Sequence, residues 1–198
     1  MAGAGSGRHR RASGCSARRW WRAFPARVWL VFGLAVSAAS AGAGGYGLPA
    51  DVDAVILRFD MAGGMQSRPA DSPLLTLTAG GRLTGSAAWF GDGADRSRQL
   101  APAELQALLT YLLADQRLPD LAAASIAERI RALRAADGRL FNIADAPTTR
   151  IELALPEHRH SVEFYAVDAA ARQFPEIAEL RRLQAIQNRL RDVLDSLR

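Results

Sequence analysis

The run Ala54-Val55-Ile56-Leu57-Arg58-Phe59-Asp60-Met61 decides the fold class. Val55, Leu57, Phe59 and Met61 fall on one side of an extended chain, Arg58 and Asp60 on the other, which is the alternation of a half-buried strand. Gly63-Gly64 breaks the run, and Pro69 and Pro73 keep the connection irregular. Leu74 to Thr78 then reads as a second strand and Leu83 to about Trp89 as a third. They are joined by the turn Ala79-Gly80-Gly81-Arg82, whose glycines supply the positive φ of a tight hairpin.

The pattern changes period after the loop Gly91-Asp92-Gly93-Ala94-Asp95. Pro102 suits a first helical turn, and Leu105, Leu108, Leu109, Leu112 and Leu113 follow at the spacing of one apolar helix face, stopping near Pro119. Ala122 to Ala135 is a second helix with Ile126, Ile130 and Leu133 inward, ending at Asp137-Gly138. Arg150 to Leu155 and Ser161 to Val167 form another antiparallel pair around Pro156-Glu157-His158-Arg159-His160. A last helix runs from near Pro175 to Leu197, with Ile177, Leu180, Leu183, Ile186, Leu190, Val193 and Leu197 recurring every three or four residues. At the α-helical rise it is about 35 Å long. The order β-β-β-α-α-β-β-α specifies an α+β fold: a mainly antiparallel sheet of about five strands packed against amphipathic helices, with a long C-terminal helix.

Charge is distributed unevenly along the 198 residues. All 25 basic residues are Arg, which with the abundant Ala and Gly reflects a GC-rich genome. Seven of them precede Val28 and no carboxylate precedes Asp51, leaving 18 Arg against 20 carboxylates in the body, a net charge of −2. A body of that balance lacks the positive stripe that nucleic-acid binding needs, so no nucleic-acid partner is expected.

The basic stretch to Arg27, the uncharged apolar run from Val28 to about Ala39 and the small residues from Ala38 to Gly45 make the three parts of a secretory leader. Cleavage could follow Ala39-Ser40-Ala41 or Ala41-Gly42-Ala43. The apolar run spans about 18 Å as a helix, against about 30 Å for a hydrocarbon core. The reading is therefore residues 1–43 as an export leader or membrane anchor, 44–52 as a flexible linker and 53–198 as a single α+β domain. The domain is expected outside the cytoplasm, periplasmic or extracellular; the alternative is N-terminal anchorage in the inner membrane. Arg18-Arg19-Trp20-Trp21 faintly resembles a twin-arginine signal, interrupted by Arg22 and Arg27. Cys15 is the only cysteine and precedes the apolar run, so a processed chain has no disulfide, thiol nucleophile or thiolate metal site.

Each candidate for chemistry has a plainer reading. Gly42-Ala43-Gly44-Gly45-Tyr46-Gly47 matches a dinucleotide loop by letter, but it neither follows a strand nor opens a helix. His158 and His160 share one side of an extended chain, and Glu157 or Glu163 could add an oxygen, yet the body offers no further His or Cys to complete a metal shell. Asp92 and Asp95 lack the alternating oxygens and distal Glu of a calcium loop. Ser72, Ser86 and Ser97 sit in no nucleophile-elbow context. Trp89-Phe90 is expected to close the bottom of the core. No catalytic, cofactor-binding or metal-binding residue and no cofactor is therefore assigned.

The body resembles a loose group of small exported bacterial proteins of unknown function through Val55 to Met65, Leu75 to Leu83, Pro102 to Leu113 and Thr148 to Leu183. It also resembles emfourin, a proteinaceous inhibitor of thermolysin-like metalloproteases, through Leu57-Arg58 to Gly63-Gly64-Met65 and the order of elements that follows. The Ile126 to Asp145 segment departs from both patterns, and no inhibitory residue is carried over. The expected function is that of an exported non-enzymatic domain acting by binding, its partner a secreted or envelope protein. Inhibition of a secreted metalloprotease and a carboxylate-based hydrolase are the alternatives. A monomer is expected, touching a membrane only through an uncleaved N-terminal segment.

Overall fold

The structure is a computed structural model that describes residues 45–63 and 72–198. The apolar run Val28 to Ala39 and the candidate cleavage positions lie outside the described residues, as do the first three residues of the Gly42 to Gly47 motif.

The fold is α+β. Six antiparallel strands lie in the order β4-β3-β2-β1-β5-β6: β1 Val55–Gly63, β2 Leu75–Thr78, β3 Arg82–Gly85, β4 Arg96–Gln99, β5 Pro147–Ala154 and β6 Arg159–Tyr165. The opening stretch forms the centre of the sheet, paired to β2 on one side and β5 on the other. Among the described residues there are five α-helices: α1 Ala87–Phe90, α2 Pro102–Thr110 and α3 Ala123–Asp137 lie between strands, and α4 Val167–Gln173 and α5 Ala178–Asp195 follow β6. Helix α2 continues into a π-helical turn, Tyr111–Asp115, and a 3₁₀ turn, Leu118–Asp120, follows. Among the described residues no helix is long and apolar enough to cross a membrane.

Leu57, Phe59, Leu75, Leu77, Leu83, Ile151, Leu153 and Val162 project from one face of the sheet into a core shared with Leu109, Leu112, Ile126, Leu180, Leu183, Ile186, Leu190 and Leu194 from the helices. Helix α5 lies along this face to its last turn, and Leu180, Ile186, Leu190 and Leu194 are fully buried. One polar thread crosses the layer: the Thr149 hydroxyl donates to Gln187 Oε1 at 2.5 Å, and Gln187 Nε2 donates to Asp168 at 2.9 Å.

Four expectations are corrected. Val55 does not share a face with Leu57. Val55 pairs with Thr78 and Leu57 with Leu77, so Ile56 is an extra, bulged residue, and a one-residue bulge flips everything before it. Ile56 turns into the core while Val55 joins Arg58 and Asp60 on the opposite face. The third strand ends at Gly85 rather than near Trp89, because Ser86 caps α1 by accepting from Ala88 N at 3.3 Å. A sixth strand, β4, follows the Asp92 loop. Finally, β6 stops before Ala166, whose φ of 57° ends the extended chain and starts α4.

Of the stretch read as a linker, residues 45–52 lie against the domain. Tyr46 N donates to Gln106 Oε1 at 2.8 Å, and Gln106 Nε2 returns a bond to Tyr46 O at 3.2 Å. Tyr46 and Leu48 pack on the core.

Candidate binding face of the sheet

The helices cover one face of the sheet, and the other carries side chains of alternating charge. The pairing register sets them in rows. Asp60 on β1 stands opposite Arg150 on β5, which stands opposite Glu163 on β6. One row along, Thr76 on β2 faces Arg58, Arg58 faces Glu152, and Glu152 faces Ser161. Antiparallel strands place directly opposed side chains on the same face, so the charges form a checkerboard.

Geometry within the rows is close. Arg150 donates through Nε and Nη2 to Glu163 Oε2 at 3.0 and 2.7 Å, and this bond to Glu163 raises its already high pKa. Arg58 Nη1 lies 3.5 Å from Glu152 Oε2. The four side chains are between 39% and 56% exposed, so each pair is worth about 0–1 kcal/mol and can exchange partners at little cost. Asp60 differs, being only 6% exposed. Its carboxylate accepts from Met61 N at 2.9 Å and makes a further interaction.

A trough of 480 Å³ runs between the rows, lined by Val55, Arg58, Asp60, Pro73, Thr76, Arg150 and Glu152. A second recess of 280 Å³, lined by Asp60, Ala62, Gly63, Thr148, Arg150 and Glu163, adjoins it and shares Asp60 and Arg150. The bulge at Ile56 contributes directly, since it delivers the apolar Val55 to the trough floor beside the charges.

Of the sequence candidates for chemistry, Glu163 lies on this face, paired with Arg150, while His158, His160, Asp92, Asp95 and Ser86 lie elsewhere and hold the fold together. His160 points to the helical side of β6, its Nε2 3.0 Å from Leu121 O. His158 packs edge-on against Tyr46 with ring centroids 6.0 Å apart. Among the described residues no three His, Cys, Asp or Glu converge as a metal site. Asp92 accepts from Ala94 N and pairs with Arg96 at 2.5 Å, and Asp95 accepts from Ala87 N at 2.7 Å. That loop therefore ties α1 to β4. The hydrogen bond from Arg96 holds the Asp92 carboxyl below the usual carboxylate range. Trp89 packs against the core, and Arg96 lies over the Phe90 ring at 4.6 Å. Ser86 is the α1 cap and Ser97 lies on β4.

Set against protein-family models, curated proteins and solved structures, the chain finds no match.

Proposed function

We propose that the protein is an exported, non-enzymatic binding domain that receives a protein partner on the face of its sheet that the described helices leave uncovered. The observation that carries this reading is the checkerboard of Asp60, Arg150, Glu163, Arg58 and Glu152 around the trough. A surface that alternates in sign over a few ångströms suits a mixed-charge protein surface, where complementarity sets orientation. It suits a phosphate backbone poorly, since the carboxylates would repel it. Val55, Pro73 and the stems of Arg58 and Arg150 add apolar area beneath the charges. The export reading rests on the arginine-rich segment and the apolar run before the domain. The non-enzymatic reading is supported by the structural engagement of His158, His160, Asp92 and Asp95.

A photo-reactive side chain placed at Thr76 in the producing cell tests this. A defined crosslinked partner is expected, lost when Arg58→Glu and Arg150→Glu are introduced together, while the same probe at Arg131 on α3 gives none. Equal crosslinking from both positions would overturn the assignment of this face. Inhibition of a thermolysin-like metalloprotease, relieved by the same two changes, would identify the partner as a secreted protease. Substrate turnover abolished by a single Asp or Glu change would overturn the non-enzymatic reading.

A further inference from the structure

The sheet has two edges, and only one of them fits itself. Leu155 N donates to His158 O and Ala166 N to Pro147 O. With the β5–β6 register, these bonds put His158, His160, Val162, Phe164 and Ala166 on the bonded side of the ladder. The N–H and C=O groups of Arg159, Ser161, Glu163 and Tyr165 therefore point away from the sheet. All four residues are exposed, and among the described residues no backbone bond reaches them from outside the strand. The 3₁₀ turn Leu118–Asp120 and α3 lie near β6, where His160 bonds Leu121 O, and they leave this row open. An uncovered strand without proline is a template for another strand.

We propose that β6 pairs with β6 of a second copy about a two-fold axis at Ser161, joining two sheets into one. In that register Ser161 opposes Ser161 of the other copy, Arg159 opposes its Glu163, and Glu163 its Arg159. All three pairs use the outward backbone groups and form about six hydrogen bonds, two per pair. The side chains of opposed residues share a face, so two Arg–Glu pairs form across the axis. Arg159 has no ion-pair or side-chain hydrogen-bond partner among the described residues and is the cation this pairing satisfies. Centring the axis on Glu163 instead would set that carboxylate against its own copy, so charge selects Ser161.

The other edge shows the opposite property. On β4, centring on Ser97 places Arg96 against Arg98 in both directions, and centring on Arg98 places it against itself. Like charges in direct opposition oppose pairing, so the dimer forms at β6 and does not propagate into a filament. The charged face described above becomes continuous across the two copies, and Glu163 belongs to both surfaces, paired with Arg150 in its own chain and set against Arg159 of the other copy.

Light scattering on the full chain tests the pairing. Twice the chain mass is expected, with Arg159→Glu and Glu163→Arg each weakening association by about tenfold or more. The double variant carrying both changes restores complementarity and should dimerise again, which a misfolded chain could not do. Amide exchange at Ser161 should slow with protein concentration in the native chain and in the double variant, but not in either single variant. A single-chain mass for the native protein across the accessible concentration range would overturn the proposal. So would a dimer indifferent to the single changes, or a double variant that stays monomeric.

Discussion

The indole Nε1 of Trp89 donates to Asp195 Oδ1 at 3.0 Å, tying α1 to the last turn of the C-terminal helix. Beneath this bond Gly85 ends β3. A Cβ there would lie 2.9 Å from Leu197 Cδ1, 2.9 Å from Phe90 Cζ and 3.0 Å from Leu194 Cδ2. The helix can reach its end against the sheet because that position has no side chain. Gly85→Ala is expected to destabilise the domain by about 1–3 kcal/mol through overpacking, measured by urea denaturation. An unchanged midpoint would show that the last turn is not packed as described.

Leu190, one turn before Leu194, is fully buried. Leu190→Ala should cost about 2 to 4 kcal/mol, the range for truncating a buried leucine. Because α5 and β6 are different surfaces, the mass measured by light scattering should be unaffected at temperatures where the variant is folded. A change of mass with an unchanged melting temperature would make the end of α5 an interface.

The elements that could be read from the sequence are those whose apolar residues repeat. Leu105 to Leu113 and Ile177 to Leu197 show a helical period because each buries one face. The alternation in β5 and β6 follows from a sheet buried on one side only. Strand β4 carried no such signal: Arg96-Ser97-Arg98-Gln99 is polar throughout and is held by pairing to β3 and by the bond from Gln99 Nε2 to Gly80 O. The bulge at Ile56 was hidden because Val55, Ile56 and Leu57 are all apolar, so either parity satisfies the pattern. The candidate face was hidden for a related reason. Arg58, Asp60, Arg150, Glu152 and Glu163 read singly as solvated positions, and only the register of three strands makes them neighbours.

The buried thread from Thr149 through Gln187 to Asp168 should behave as a unit. Thr149→Val keeps the shape but leaves Gln187 Oε1 without its donor, a cost of about 1–3 kcal/mol. Adding Gln187→Leu removes the stranded oxygen, so the double variant should lose less than the two single losses together. Strict additivity in a double-mutant cycle would show that the two side chains do not interact.

Acid stability should depend on two exposed carboxylates. The hydrogen bond from Arg96 lowers the pKa of Asp92, and the bond from Arg139 lowers that of Glu176. A carboxylate whose pKa is lower folded than unfolded binds fewer protons in the native state. Its stabilisation is present at neutral pH and is lost as pH falls below about 4 through the folded value. Asp92→Asn with Glu176→Gln should therefore lower stability at pH 7 while flattening the decline toward pH 2. Parallel stability curves for the two proteins across that range would contradict the assigned pairs.

The strap at Tyr46 constrains where the proposed export leader can be cut. Both backbone groups of Tyr46 are bonded to the Gln106 side chain, and its ring packs on His158 and the core. Gly45 passes so close that an added Cβ would lie 3.0 Å from Gln106 Cδ. Removing these residues would open the core beside α2 and leave Gln106 without its partners. The small-residue rule permits cleavage after Ala41 or Ala43, and both sites keep Gly45 and Tyr46. N-terminal sequencing of the protein recovered outside the cytoplasm should therefore begin at Gly42 or Gly44. A chain begun at Gly47 should melt at a lower temperature, and Gln106→Ala should reproduce much of that loss in the longer chain. An intact N-terminus recovered from the membrane fraction would replace the leader with an anchor, and a mature start beyond Tyr46 at full stability would remove the strap's structural role.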